Sequence, residues 1–272
     1  MTSGNPARSR EELLELCAEL FGKERVQKIQ EDIPLPQYGG FRTPKNILMV
    51  LFPSRSGSNY FGQLLSSTGW FAEIAESFSP GQLNKVQKLR SLDDLHATAQ
   101  WMVDHRGTPH GFGFKAGATV LAGAAHVGIL SEVLDRAQIV LLRRRDRVGQ
   151  AISLFKGKLG APMHTRQEHG QKLTDDDYDY PSIAREYQHI PRIENRLAQF
   201  AERVGKKAPL YYYEDICEDP LKHVEEVCTL MGLEMPWHYA PRKVRLSILR
   251  DDLSERWADR FRQDHAELLE TA

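Results

Sequence analysis

The segment Pro53-Ser54-Arg55-Ser56-Gly57-Ser58-Asn59-Tyr60 holds the residue types that bind a phosphate or sulfate group. Backbone N–H groups of a short loop running into a helix converge on an anion, a glycine permits close approach, and serine hydroxyls add donors. Arg55 adds a permanent charge on a forked donor set. The loop lacks both the lysine and the first glycine of the pattern G-x-x-x-x-G-K-S/T, which argues against ATP as its ligand. A second anion-competent group is Arg143, Arg144, Arg145 and Arg147, with Ser153 one or two helical turns further on. An arginine leaving a strand and a serine on the next helix can grip one phosphate from two sides. The plainer readings are a simple turn and a solvated basic strand end pairing with Asp135 or Asp146. Two such elements at neighbouring strand ends weigh against both, because ligands of open α/β sheets sit in that crevice. Glu73 and Glu76 form a third group, able to accept a proton from a hydroxyl. Burial beside Trp70, Phe71 and Phe78 would make either a better base. Their plainer reading is a pair of solvated charges, as a surface residue is for Lys115.

The elements that must position these groups follow from the hydrophobic pattern. Ile47 to Phe52 is apolar on consecutive residues, as in a strand covered on both faces of a parallel sheet. After the loop, Tyr60, Phe61, Leu64 and Leu65 form the stripe of a helix, with Gly69 as its end signal. Gln138 to Leu142 is a second buried strand, followed by a helix through Val148, Ala151, Ile152 and Phe155. Shorter strands are expected at Gly111 to Lys115 and Leu210 to Tyr213. Strands alternating with helices predict an α/β fold of three layers, with a mainly parallel central sheet. Leu13, Leu14, Leu16, Cys17, Leu20 and Phe21 predict a leading amphipathic helix from Glu11 to Gln30 that Gly22 can divide. Ile33 to Pro44, rich in Pro and Gly, reads as a connector, so residues 1–44 are set apart from a main domain at 45–272. Tyr187, Ile190, Ile193, Leu197, Phe200 and Val204 predict a long helix that packs on the sheet. Gly157 to Pro181 has no periodicity and reads as a lid or binding segment, with disorder as the alternative. Tyr211-Tyr212-Tyr213 reads as a strand and turn.

Composition removes several classes of function. The chain has 272 residues with 36 Lys and Arg against 37 Asp and Glu, a net charge of −1, so it lacks the charge of a nucleic-acid binder. Hydrophobic residues make up 41%, an ordinary globular share, which argues against disorder. No apolar run approaches the roughly 20 residues of a membrane span. The polar N-terminus lacks the features of a secretory signal, and a cytoplasmic protein is expected. Cys17, Cys217 and Cys228 have no metal-ligand spacing, and no metal is expected. His105, His110, His126, His164, His169 and His189 form no ligand pattern and read as surface or loop residues. His164 and His169 fall in the lid segment, where they could touch a substrate.

Together, FPSRSGSNYFGQLLSSTGWFAEIAESF, LLRRRDRVGQAISLFKG and LSERWADRFRQD resemble the Stf0 group of sulfotransferases, over roughly Lys45 to Asp264. The resemblance implies a P-loop-like sulfotransferase fold. The implied donor is 3′-phosphoadenosine 5′-phosphosulfate (PAPS), leaving 3′-phosphoadenosine 5′-phosphate (PAP), without a metal. Arg55, Ser56, Gly57, Ser58 and Asn59, with Tyr60 beside them, match the loop for the 5′-phosphosulfate. Arg144 and Ser153 match the pair for the 3′-phosphate, and Arg242, Lys243 and Arg245 match a basic segment near the nucleotide more loosely. Glu76 matches the general base, and Lys115 a lysine that reaches the transferring group. Glu73, Phe78 and His164 are expected at the acceptor, a hydroxyl of a carbohydrate, glycolipid or small metabolite. The group usually has Pro before the loop Arg and Thr after the second Ser, where this chain has Ser54 and Asn59. Trp70, Phe71, Ile74 and Ala75 make the expected acceptor wall more apolar than one for trehalose. A homodimer is compatible, through the N-terminal helix, as is that helix packing on its own domain. The rival readings are a nucleotide-dependent kinase, which would need magnesium, and a non-catalytic nucleotide-binding module.

Overall fold

The structure is a computed structural model and describes residues 8–34, 39–161, 171–237, 239, 251–264 and 266. The chain opens with two helices, α1 (Arg10–Phe21) and α2 (Lys23–Asp32), broken at Gly22 as anticipated. Gly22 has φ of +101°, a backbone conformation that L side chains rarely adopt. A capping box fixes the start of α1. The Ser9 hydroxyl accepts from the Glu12 N–H at 3.1 Å, and the Glu12 carboxylate accepts from the Ser9 N–H at 2.7 Å.

Four parallel strands follow in the spatial order β2-β1-β3-β4: β1 (Asn46–Leu51), β2 (Gly111–Ala116), β3 (Ala137–Arg143) and β4 (Leu210–Tyr212). The reason β1 reads as continuously apolar is visible in its burial. Ile47, Met49 and Leu51 enter one core, while Leu48, Val50 and Phe52 enter the other. Successive strand residues point to opposite faces, so a strand covered on both sides must be apolar throughout.

Between β1 and β2 run α3 (Ser58–Ser66), α4 (Pro80–Arg90) and α5 (Leu95–Arg106); between β2 and β3 run α6 (Ala118–His126) and α7 (Ile129–Val133). After β3 come α8 (Arg147–Lys158), a short 3₁₀ turn at Asp175–Asp177 and α9 (Tyr180–Arg203). The chain then forms β4, α10 (Tyr213–Glu218), α11 (Pro220–Leu230) and α12 (Asp252–Asp264). One layer, with α1, α2 and α4 to α7, packs on the Ile47 face; α3, α10 and α11 pack on the Leu48 face. A third cluster joins α8, α9 and α12 through Phe155, Ile183, Trp257 and Phe261. This is the predicted three-layer α/β architecture.

Three sequence expectations change, and the residues of some others lie outside the described ones. The lid segment is bounded by structure, since α8 reaches Lys158 and α9 begins at Tyr180; residues 162–170 between them, with His164 and His169, lie outside the described residues. Arg242, Lys243 and Arg245 also lie outside them. Tyr213 starts α10 rather than ending a strand. His126 is buried, not a surface residue, with a ring nitrogen 2.8 Å from the Ile33 carbonyl, which ties the connector to α6. Among the described residues no helix is long and apolar enough to cross a membrane.

The leading helices belong to the main core. Leu13, Leu16, Cys17, Phe21, Val26 and Ile29 share one apolar cluster with Ile47, Leu121 and Phe200. Leu13 is fully buried there, whereas Glu15 is exposed on the same helix. Leu13→Ala is expected to lower the stability of the whole chain by about 2–5 kcal/mol, and Glu15→Ala by less than about 0.5 kcal/mol. Urea unfolding followed by tryptophan fluorescence measures both; a Leu13→Ala curve that overlays the wild type would separate α1 from the core.

Candidate functional site

The strand order reverses at the centre of the sheet. From β1 the chain crosses to β2 on one side, while from β3 it crosses to β4 on the other. The loops leaving the carboxyl ends of β1 and β3 therefore face a common crevice, the position at which such sheets bind ligands.

The loop after β1 is shaped for an anion. Arg55 has φ of +66° and Gly57 of +84°, two left-handed residues that curl the backbone around its own N–H groups. Gly57 also caps α3, and no side chain caps that helix end. A Cβ at Gly57 would come within 2.0 Å of the Tyr213 ring, so only glycine fits. Ser56 is fully buried and its hydroxyl has no hydrogen-bond partner among the described residues. A buried hydroxyl left unpaired is costly unless a ligand completes it. The buried Gln150 side chain on α8 donates to the Ser54 carbonyl at 2.8 Å and ties the loop to the neighbouring element.

The β3 loop supplies the second half. Asp146 caps α8 by accepting from the Gly149 N–H at 2.9 Å, and its other oxygen holds an Arg144 Nη at 2.9 Å. A Cβ on Gly149 would meet that oxygen at 2.2 Å, so glycine makes room for the clasp. The Nε of Arg144 is buried without a partner. Arg55 reaches across the crevice to donate to the Ser153 hydroxyl at 2.7 Å. Burial, reinforced by the charge of Arg144, pulls the Arg55 guanidinium below its ordinary pKa. Two guanidiniums held this close create a strong demand for an anion. The other three arginines of the run are engaged elsewhere: Arg143 and Arg147 flank the buried Glu194 at 3.9 and 3.8 Å, and Arg145 pairs with Asp215.

Lys115 and Glu76 meet on the other side of the loop. Residues 74–76 run alongside β2, where the Lys115 N–H donates to the Ala75 carbonyl at 2.9 Å. This places a Glu76 carboxylate oxygen 3.9 Å from the Lys115 ammonium, which also donates to the Asn59 side chain. Lys115 is nearly fully buried, above the Phe52 ring. Burial holds its ammonium below the usual lysine range, opposed by the charges of Glu76 and Glu73. Asn59, Lys115 and Glu76 thus form a polar chain at the edge of the loop.

Several sequence expectations are revised here. Glu76 is half exposed, not enclosed by Trp70, Phe71 and Phe78. Phe71 and Ile74 are buried in the core and form no acceptor wall. Phe78 is also fully buried, packed edge-on against Phe112 and Phe114, and cannot contact an acceptor. Glu73 turns to Arg106 at 3.1 Å. Tyr60 packs edge-on against Tyr213. Tyr213 itself was missed: its ring lies against Gly57 and 5.7 Å from the Arg144 guanidinium. Burial pushes its hydroxyl up to about 12, so it meets Arg144 as a neutral phenol. Its only sequence signal is its place just past the β4 strand.

A cavity of about 440 Å³ opens beside the loop, between Ser54, Glu76, the start of α6 and the helices α2, α8 and α9. No group of metal-binding side chains occurs among the described residues. The crevice therefore offers backbone donors and paired guanidiniums for an anion, with a carboxylate and a buried lysine at its edge.

Comparison with known proteins adds to this geometry. Residues 119–264, more than half of the chain, match the Stf0 sulphotransferase family. The loop at 53–59, Glu76 and Lys115 precede the matched stretch, whereas Arg144 and Ser153 lie inside it. Among solved structures the chain is similar to a sulfotransferase from Alicyclobacillus acidocaldarius, with 15% identity, a TM-score of 0.47, and coverage of 84% of this chain and 94% of that one. It is also similar to retinol dehydratase in a complex with retinol and PAP, with 14% identity, a TM-score of 0.41, and coverage of 94% and 77%. No curated protein matches the sequence.

Arg55 and Arg144 face one another at the crevice, and an added anion is expected to be held between them. In Arg55→Met the apparent affinity for added pyrophosphate should fall at least tenfold. A scan of melting temperature against pyrophosphate concentration measures it. Unchanged pyrophosphate affinity would remove Arg55 from the anion site.

Proposed function

The chain belongs to the Stf0 sulphotransferase family and is an enzyme that transfers a sulfuryl group; from that premise we propose that the crevice between β1 and β3 binds PAPS as donor, and that Glu76 activates a hydroxyl of a carbohydrate, glycolipid or small metabolite as acceptor. The observation that carries this reading is a pair of buried donors without a partner among the described residues, the Ser56 hydroxyl on the β1 loop and Arg144 Nε on the β3 loop. Orphaned donors on two loops that leave adjacent strand ends support a ligand with two separate anionic groups, which PAPS has.

Each residue then has a task set by its position. The backbone from Arg55 to Asn59, with the Ser56 and Ser58 hydroxyls, holds the 5′-phosphosulfate. Arg144 and Ser153 hold the 3′-phosphate, and Tyr213 buttresses Arg144 and the Gly57 turn. Glu76 accepts the acceptor's proton while the hydroxyl oxygen forms its bond to sulfur. As the bond from sulfur to the bridging oxygen breaks, that oxygen stays with the 5′-phosphate, and Arg55 and Lys115 neutralise the charge it gains. Asn59 accepts from Lys115 and keeps the ammonium aimed at the loop. PAP is the leaving product, and no step needs a metal.

Thermal unfolding tests the donor site. PAP at about 100 times its dissociation constant would stabilise the fold by roughly 2.7 kcal/mol. The shift should be small with AMP and absent in Arg144→Ala. A preference for ATP with magnesium would overturn the donor assignment.

Turnover tests the edge of the site. Glu76→Gln should keep the PAP shift and lose turnover by a factor on the order of 10² to 10⁴; full turnover would remove Glu76 as base. Because burial lowers the Lys115 ammonium, its charge is present at low pH and is lost as pH rises through that depressed value. The rate should therefore fall on the alkaline side below about pH 10.4, the range of an ordinary lysine. The same depression means that stability rises over that interval, since the unfolded lysine binds its proton more tightly. Lys115→Arg, which keeps its charge, should move the alkaline limb upward.

A further inference from the structure

The proposed reading leaves the acceptor's chemistry open, and the cavity beside Glu76 narrows it. At about 440 Å³ it falls in the size range of small-molecule sites. Its charged lining is unevenly distributed among the elements. Glu76 and Ser54 stand beside the donor loop, whereas Arg25 of α2, Lys158 of α8, and Arg185, Glu186 and His189 of α9 belong to the surrounding helices.

The cations are only partly used by the protein. Arg25 Nε donates to the Phe21 carbonyl at 3.3 Å and its Nη1 to the Thr119 hydroxyl at 2.9 Å, which orients the guanidinium and leaves Nη2 without a partner among the described residues. Arg185 gives one Nη to Ser182 at 2.8 Å and has no carboxylate partner among the described residues. Lys158 pairs with Glu186, which accounts for the one carboxylate on the α9 wall. Glu76, the other carboxylate, is matched by Lys115 at the loop. Among the described residues, Arg25 and Arg185 thus line, without a carboxylate partner, a cavity that adjoins the reacting groups. His189, on the same face of α9 one turn beyond Arg185, feels that excess: burial lowers its pKa, Glu186 opposes this, and Arg25, Arg196 and Lys158 lower it further.

A neutral sugar or an apolar lipid tail would leave these guanidiniums without counter-charge in a partly enclosed space. A carboxylate would satisfy one fork. A phosphate, with three terminal oxygens, answers two guanidinium forks arriving from α2 and α9 together. We infer that the acceptor is a phosphorylated sugar or polyol, with its phosphate held by Arg25 and Arg185 and its free hydroxyl presented to Glu76. This rests on the sulfuryl-transfer reading of the Glu76 site. It also gives the leading helices a role in recognition, since Arg25 lies outside the stretch that matches the family.

The test uses the full chain and reads melting temperature with and without saturating PAP. Glucose 6-phosphate and glycerol 3-phosphate are the probes, with glucose, glycerol and glucuronate as matched controls. Both phosphates should raise the melting temperature further on top of PAP, the parent alcohols should not, and glucuronate should bind at least tenfold more weakly. Arg25→Gln and the exposed Arg185→Gln should each weaken phosphate binding at least tenfold while leaving the PAP shift intact; a bis-variant should abolish it. Equal shifts from glucose or glucuronate, no phosphate shift, or phosphate binding that survives both substitutions would overturn the inference. Absence of a PAP shift in the wild type would instead overturn the donor site, and the loss or survival of the phosphate shift in Arg25→Gln and Arg185→Gln without PAP would then decide the cavity.

Discussion

The parallel pairing of β1 with β3, in register from Ile47 opposite Ala137 to Leu51 opposite Leu141, is the constraint on which the site depends. It brings two loops of unlike sequence, separated by nearly a hundred residues, to one end of the sheet. Neither loop is an anion site alone. The first has a curled backbone and a buried hydroxyl; the second has a guanidinium whose aim is set by Asp146. The strand pairing makes one crevice of them, and the Arg55 bond to Ser153 closes it. A sheet that crossed in one direction only would have filled this position with a connection instead of a ligand.

That crevice is built against local stability. Arg55 and Arg144 raise each other's energy, Arg55 adopts a backbone conformation uncommon for a side-chain-bearing residue, and the Ser56 hydroxyl is buried unpaired. Such features persist where the surrounding structure holds them in place. Here the holding groups are Gln150 on the Ser54 carbonyl, the Tyr213 ring on Gly57 and the Asp146 cap on α8. Asn59 and Lys115 extend the same logic to the reacting edge, where a buried ammonium is tolerated because Glu76 stands beside it.

The parts legible in the sequence were those written in consecutive residues. The unbroken apolar run of β1 showed a strand covered on both faces, and Ser56, Gly57 and Ser58 after it showed a small-residue loop running into a helix. Gly22 showed the break between α1 and α2. What failed to show was anything set by packing from a distance. Phe71 and Ile74 looked like part of an acceptor wall and Phe78 like an acceptor contact because they neighbour Glu76 in the chain, but all three turn inward to the core. Lys115 passed equally for a surface residue until its β2 position beside residues 74–76 buried it. Tyr213 had no signal beyond its place just past β4, because its contacts come from the β4 end lying next to the loop.

The N-terminal helices show why separate reading of segments misleads. The Pro and Gly-rich connector at Ile33 to Pro44 suggests an appendage, yet α1 and α2 bury their apolar faces in the same core as β1 and α6. Since α6 begins directly after β2, the strand that carries Lys115, a helix packed on α6 is held rigidly with respect to the reacting groups. Arg25 exploits this: its bond to Thr119 in the first turn of α6 fixes a cation from the leading helices on the cavity next to Glu76. The crevice proposed for the donor draws on the two central loops, whereas the cavity proposed for the acceptor draws on helices from the N-terminal segment and the middle of the chain. On that proposal a change in the leading helices alters which hydroxyl compound is recognised and leaves the donor loops as they are.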